Sequence, residues 1–149
     1  MKADGLLQIA WLIANAEAKN LGANEIEPVH FLLATMKIID PKFPDQLDKL
    51  DISSEDWAKM CKEAQSIRRY IDVLPETVTK RRRTLRGRLA QVRVRPPISA
   101  EGLLHRASAT KRAFSDALFF SEDDTLTLKQ LVRSLFEMDL VDFSQVDVK

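Results

Sequence analysis

Residues 26–36 read IEPVHFLLATM, and residues 126–136, one hundred positions later, read LTLKQLVRSLF. Each string has the apolar spacing of one face of a helix. The apolar positions coincide in the two strings, which pair Ile26 with Leu126, Phe31 with Leu131, Leu32 with Val132, and Met36 with Phe136. A segment that recurs in this way indicates two copies of one helical unit.

Two further pieces recur in the same order. An offset of 99 places the alanines of the first segment, Ala10, Ala14 and Ala18, on Ala109, Ala113 and Ala117. An offset of 96 places LDKLDI (47–52) on FSQVDV (143–148). The sequence therefore predicts an all-α fold, a compact bundle of two pseudo-symmetric helical repeats in a single domain over 1–149. Repeat one spans 1–72, a basic connector spans 73–97, and repeat two spans 98–149.

Capping signals predict where the helices begin. Pro28 suits the first turn of a helix, because its missing N–H has no partner there. Ser53 is expected to cap a helix that runs to about residue 72 and turns Trp57, Cys61 and Ala64 onto repeat one. In repeat two, Ser99 is expected to cap a helix in the same way, with Ile98 stapled to Leu103. Repeat two is truncated, because FSQVDV leads directly to Lys149 with no counterpart of the Ser53 helix.

The repeat also assigns a role to the first histidine. His30 aligns with Gln130, which lies in the capping-box pattern Thr127-x-x-Gln130. We expect His30 to hydrogen-bond back to the start of its helix, so that His30, Gln130, Leu32 and Val132 form a structural signature. A metal site is not expected, because neither His105 nor Cys61 has a ligand spacing to His30.

Composition excludes several classes of function. Net charge is +1, no apolar stretch is long enough to span a membrane, and a single cysteine is typical of a reducing, cytoplasmic setting. The phosphate-binding pattern G-x-x-x-x-G-K-[ST] is absent. Cys61 shares a helix face with Trp57 and Ala64, which favours packing over a thiol nucleophile. We expect no cofactor and no enzymatic activity.

A basic run is the clearest candidate binding segment. Residues 80–95 contain no acidic residue and carry eight cations, among them the candidate partner-binding residues Lys80, Arg81, Arg82, Arg83, Arg86 and Arg88. Such a run attracts an anionic partner or is a solvated connector. Aromatic residues for base stacking are absent from the run, which disfavours nucleic acid and favours an acidic protein. An anion- or nucleic-acid-binding helical protein is the alternative hypothesis.

The doubled pattern resembles the N-terminal domain of the Clp family of ATP-driven protein unfoldases. The resemblance rests on ANAEA (14–18), Leu21–Gly22, IEPVHFLLA (26–34) and PISAEGLL (97–104), and it covers most of the chain outside 73–95. It implies a non-catalytic domain that binds protein substrates or adaptors, with an ATPase module on the same or another chain. A monomer and a homodimer are both compatible with the sequence.

The connector carries an apolar stripe opposite the arginines. Val78, Leu85, Leu89 and Val92 recur at steps of seven, four and three residues, which is typical of an amphipathic helix. We therefore expect residues 76–93 to be helical and to lie on repeat two. There they would cover apolar surface that the truncation leaves bare at Phe136, Leu140 and Phe143. A homodimer that buries the same surface is the alternative.

Overall fold

The computed structural model describes residues 1–43, 52–93, 95–98 and 101–141. Within these ranges six α-helices carry the fold: α1 (Gly5–Asn20), α2 (Pro28–Ile38), α3 (Ser54–Ile71), α4 (Val78–Gln91), α5 (Ser108–Phe119) and α6 (Leu128–Glu137). A 3-10 turn (Pro75–Thr77) precedes α4, and the strands β1 (Lys2–Ala3) and β2 (Thr125–Leu126) precede α1 and α6. The predicted all-α class is confirmed, whereas the duplication remains a prediction.

The predicted capping of α2 and α6 is confirmed. The Glu27 N–H donates to Nδ1 of His30 over 2.8 Å, and Pro28 occupies the first turn. In α6 the Thr127 N–H donates to Oε1 of Gln130, and the Gln130 N–H donates back to the Thr127 hydroxyl. His30 and Gln130 therefore satisfy the same backbone position of their helices, as a side chain three residues into a helix can.

Short parallel pairs join the starts of the helices across the two halves of the molecule. β1 pairs with β2, which places Ala3 opposite Leu126. Ile26, just before α2, forms a bridge with Arg106, just before α5. Each segment that precedes a helix of the first half (α1 and α2) thus pairs with one that precedes a helix of the second half (α5 and α6).

If the two halves are copies of one unit, these pairs imply a different register for their first helices. An offset of 100 still relates Ile26 to Leu126, but an offset of 103 relates Ala3 to Arg106. The buried alanines then match as Ala10 with Ala113 and Ala14 with Ala117. This register differs from the predicted offset of 99 by about one helical turn, and the duplication itself stays a prediction. Alanines spaced four residues apart superpose equally well after such a slip.

The first helix of the second half also begins later than predicted. Helix α5 starts at Ser108, whereas residues 101–107 are not helical, and Ser99 lies outside the described residues. Gly102 adopts a left-handed backbone with φ of 88°, and Leu103 is 56 % exposed instead of stapled. Asn15 of α1 holds this segment, because its side chain bonds the Gly102 carbonyl and the Leu104 N–H.

Three aromatic rings pack α1, α2 and α5 together at the centre of the core. Trp11, Phe31 and Phe114 contact one another edge to face, with ring centroids 5.0–6.3 Å apart. The Arg106 guanidinium lies 5.0 Å from the Trp11 ring centroid and 4.6 Å from that of Phe114. Edge-to-face packing and the cation over the ring faces both stabilise this cluster beyond simple burial.

Helix α3 leaves the first half and packs mainly on α6. The Ser53 hydroxyl accepts the Asp56 N–H, which confirms the predicted cap. Further along, Tyr70 contacts the ring of Phe136 with centroids 6.2 Å apart. The predicted bare surface at Phe136 is therefore wrong, because α3 covers that ring. Leu140 is half-buried, and Phe143 lies outside the described residues.

The start of α6 receives a carboxyl group from α3. Glu63 accepts the Lys129 N–H, and it also shares a hydrogen bond with the carboxyl group of Asp4, the capping residue of α1. Burial and the neighbouring Asp4 charge raise the pKa of Glu63 to about 8. A protonated Glu63 donates to Asp4 and avoids the repulsion of two carboxylates at close range. The starts of α1 and α6 thus meet at one side chain of α3.

Helix α4 confirms one prediction and contradicts another. Residues 78–91 are helical, but among the described helices their main packing partner is α2 of the first half, and not a helix of the second half. Val78 and Leu85 are buried as predicted, whereas Val92 follows the helix and is 73 % exposed. The turn after α3 is short and includes Asp72 at φ of 58°, so α4 returns beside the end of α2. Helix α4 therefore packs on the first half.

The buried position of His30 predicts a pH dependence of stability. Burial lowers the pKa of His30 from 6.5 to about 4, so below pH 6.5 the unfolded chain binds a proton that the folded chain does not. The contribution of His30 is therefore complete above pH 6.5 and is lost as the pH falls toward 4. We expect His30→Gln to cost at most roughly 1 kcal/mol at pH 7.5. The free energy of unfolding of the unmodified chain should fall between pH 7.5 and 5, and the substitution should make that fall smaller by roughly 1–2 kcal/mol.

Urea denaturation at both pH values measures these free energies, and the exposed His105→Gln serves as the matched control. A His30→Gln protein that unfolds at pH 7.5, or that keeps the full acid slope, would contradict the capping role.

Candidate functional site

The basic run is distributed around α4 and does not form one continuous cationic face. Lys80, Arg83 and Arg88 are exposed, Arg81 is half-buried, and Arg82 is only 8 % exposed. Of the candidate partner-binding residues, Arg82 is therefore not exposed for contact with a partner. Arg82 lies on the inner face of the helix, four residues from Val78 and three from Leu85. Its burial lowers the pKa of its guanidinium, although the group remains cationic at neutral pH.

Arg86 is committed to the protein itself. Its guanidinium forms two hydrogen bonds to the Glu17 carboxylate, with Nε 3.0 Å from Oε2 and a second nitrogen 2.5 Å from Oε1. The side chain of Glu17 is only 8 % exposed. A buried carboxylate needs a cation, so this forked pair ties α4 to α1. The sequence could not separate Arg86 from its neighbours, because its partner is 69 residues away.

The remaining cations border an open furrow between α4 and the end of α2. Lys42, Lys80 and Arg83 are exposed along it, and the furrow has a volume of about 710 Å³. Asp40 lines the furrow, and its carboxylate accepts hydrogen bonds from the Thr79 hydroxyl and the Lys42 N–H. Within the described residues none of the three cations forms an ion pair. The furrow therefore holds three cations and two carboxylates, those of Asp40 and of the exposed Glu76, which leaves a net charge of +1.

An apolar cleft lies next to this furrow. It has a volume of about 220 Å³ and is lined by the start of α1, by the end of α2 and the segment after it, and by α3 from Trp57 to Arg68. Among the described residues its lining is mainly apolar or sulfur-containing: Leu6, Ile38, Ile39, Pro41, Phe43, Trp57, Met60, Cys61 and Ala64. Trp57 and Cys61 are half-buried, so the cleft is accessible from solvent.

The cleft and the furrow share a rim. Asp40 and Pro41 line both, and Arg68 of α3 fixes this rim by donating to the Ile39 carbonyl over 3.1 Å. Sequence reasoning identified Lys80 and Arg83 but missed Lys42 and the cleft. The available signal was the Trp57, Cys61 and Ala64 stripe, which we assigned to packing because periodicity does not show whether a face is covered. An apolar cleft beside a cationic furrow can bind a chain that carries both kinds of side chain.

The four signature residues have structural positions. Leu32 and Val132 are 1 % exposed, and Gln130 caps α6. His30 caps α2 and lines a different groove, with Val29 and Leu89, so it does not meet Cys61 in the cleft. In the described part of the chain no group of three or more His, Cys, Asp or Glu side chains is placed to hold a metal ion. No helix in those ranges is long and apolar enough to cross a membrane.

The different placements of Arg86 and Arg88 predict different costs of substitution. Arg86→Ala leaves the Glu17 carboxylate buried without its cation, and we expect it to lower the free energy of unfolding by about 1–3 kcal/mol. Arg88→Ala, an exposed position on the same helix, should change it by less than about 0.5 kcal/mol. Chemical denaturation of both variants provides the comparison. Equal, small effects would show that Glu17 does not depend on Arg86.

Comparison with protein-family models, with curated proteins and with solved structures found no match to this chain. The resemblance to the Clp N-terminal domain therefore stays a prediction from the residues quoted above.

Proposed function

We propose that this protein is a non-catalytic module that binds other proteins, in the manner of the Clp N-terminal domain. The observation that carries the proposal is the apolar cleft between α2 and α3. Small-molecule and cofactor sites are usually mainly apolar and have volumes of about 300–1,000 Å³. The apolar cleft of about 220 Å³ is smaller and suits one bulky side chain, and the furrow of about 710 Å³ is open and is lined mainly by polar and charged residues. Its lining offers Cys61 but neither histidine as a base, and it offers no phosphate cradle.

The sequence resemblance supports the same conclusion independently. It implies a domain that receives substrates or adaptors for an ATPase, located on the same or another chain, in the cytoplasm. The cross-paired helix starts are the arrangement expected of two related helical units, and they are consistent with the proposed duplication.

The alternative, nucleic-acid binding through the basic run, has less support. A nucleic-acid site needs several cations directed at neighbouring phosphates. Here Arg86 is paired with Glu17, Arg82 is buried, and the exposed cations lie on different sides of α4. Lys80 and Arg83 border the furrow, whereas Arg88 does not.

The experiment compares an unfolded protein with its native form. Reduced, carbamidomethylated α-lactalbumin should bind the chain in fluorescence anisotropy, and native α-lactalbumin should not, because only the unfolded form exposes apolar side chains. Ala64→Leu fills the cleft and should weaken binding about tenfold, equivalent to about 1.4 kcal/mol.

Ala58→Leu is the matched control, because it makes the same change at an exposed position of the same helix. Its affinity should equal that of the unmodified chain. Equal binding by the Ala64→Leu and Ala58→Leu proteins, both with unaltered melting temperatures, would remove the cleft from the proposal. No binding of unfolded α-lactalbumin at all would contradict the function.

A further inference from the structure

We infer that the site selects extended segments in which a bulky apolar side chain has acidic side chains within a few residues of it. This inference rests on the proposed function and specifies the chemical class of the partner segment. The apolar side chain would enter the cleft beside Trp57. The acidic side chains would lie over the furrow, near Lys42, Lys80 and Arg83.

The cleft and the furrow are adjacent. Asp40 and Pro41 belong to the walls of both depressions, so a chain that leaves the cleft over this rim enters the furrow directly. An extended strand advances about 3.3 Å per residue, so two or three residues beyond the anchor carry the chain across such a rim. One segment can therefore occupy both depressions.

Cations outnumber carboxylates among the side chains that line the furrow. Lys42, Lys80 and Arg83 are exposed and have no ion-pair partner in the described ranges. One of the acidic side chains of the furrow, Asp40, accepts two internal hydrogen bonds. The three cations outnumber the two carboxylates of the furrow, Asp40 and the exposed Glu76, so charge complementarity favours a partner with carboxylates over one with lysines.

The cleft favours an apolar side chain as the anchor. The cleft lining is almost free of polar groups apart from Gln65 and from Arg68 and Asp40, which already have internal partners. A polar or charged anchor would lose its hydration there without gaining a hydrogen bond. A leucine-like or phenylalanine-like side chain gains by leaving water instead. The cleft thus selects for an apolar side chain, and the furrow selects for acidic side chains in the same segment.

Cys61 provides a direct readout, because it is the only cysteine of the chain and it lines the cleft. The probes are four blocked nine-residue peptides. Three have a central leucine flanked by aspartates, serines or lysines, and the fourth has a central alanine flanked by aspartates. The rate at which a maleimide alkylates Cys61 is measured with each peptide, and affinities are measured by calorimetry.

We expect the leucine peptide with aspartates to slow alkylation at least fivefold and to bind most tightly, with an affinity that falls as salt rises. The lysine and alanine peptides should protect little. Lys80→Glu combined with Arg83→Glu should weaken binding of the aspartate peptide about tenfold and strengthen binding of the lysine peptide. Lys111→Glu combined with Arg112→Glu, at exposed positions of α5, is the charge-matched control and should change neither.

Equal protection by the aspartate, serine and lysine peptides would overturn the acidic selectivity and leave protein binding through the cleft standing. The role of the furrow would also be overturned if the aspartate-flanked leucine peptide protected Cys61 equally in the Lys80→Glu/Arg83→Glu and the Lys111→Glu/Arg112→Glu variants. If none of the peptides binds while unfolded α-lactalbumin still does, the inference fails and the proposed function survives. If neither binds, the proposed function fails as well.

Discussion

The cleft side of the molecule depends on the place where the starts of α1 and α6 meet. The pairing of β1 with β2 brings Asp4 close to Leu128 and Lys129, and Glu63 of α3 joins the two helix starts there. The raised pKa of Glu63, about 8, favours a proton between the two carboxyl groups at neutral pH. This contact holds α3 on the α6 side, and the hydrogen bond from Arg68 to the Ile39 carbonyl holds α3 to the segment that follows α2. Together these contacts define the separation between α3 and the end of α2. That separation is the cleft.

Helix α4 shows how one basic run is divided between folding and recognition. Its inner face places Arg82 among apolar residues and directs Arg86 to Glu17, so these cations hold α4 against the first half. Its outer face leaves Lys80 and Arg83 facing solvent beside Lys42. The internal pair fixes where the exposed charges stand, so the furrow has a defined shape. A flexible connector with the same composition would not give one.

Local interactions were predictable from the sequence and distant ones were not. The caps at Ser53, Thr127 and Gln130 act within three residues, so the sequence contains both partners side by side. The helical stretch 78–91 was predictable from its apolar steps for the same reason. Which half α4 covers depends on its turn and on Glu17, far away in the chain. The start of α5 was mispredicted because Asn15 and Gly102 stabilise a non-helical segment where the capping pattern predicted a helix.

The candidate site was likewise predictable in its local features and not in those that depend on tertiary structure. Lys80 and Arg83 were predicted from the sequence, but their exposure was not, since it depends on the orientation of α4. Lys42 was not predicted, because it is distant in the chain and joins them only in the fold. The cleft was missed because Trp57 and Cys61 have the spacing of core residues, and only the tertiary position of α3 leaves them half-buried.

The most direct test of the binding site is a nuclear magnetic resonance titration of the ¹⁵N-labelled chain with the aspartate-flanked leucine peptide. Amide shifts should concentrate at 38–43, at 57–68 and at 79–84, which are the described segments that surround the cleft and the furrow. Amide shifts concentrated instead at Phe119 and Phe120, whose side chains are exposed at the end of α5, would contradict the proposed binding site.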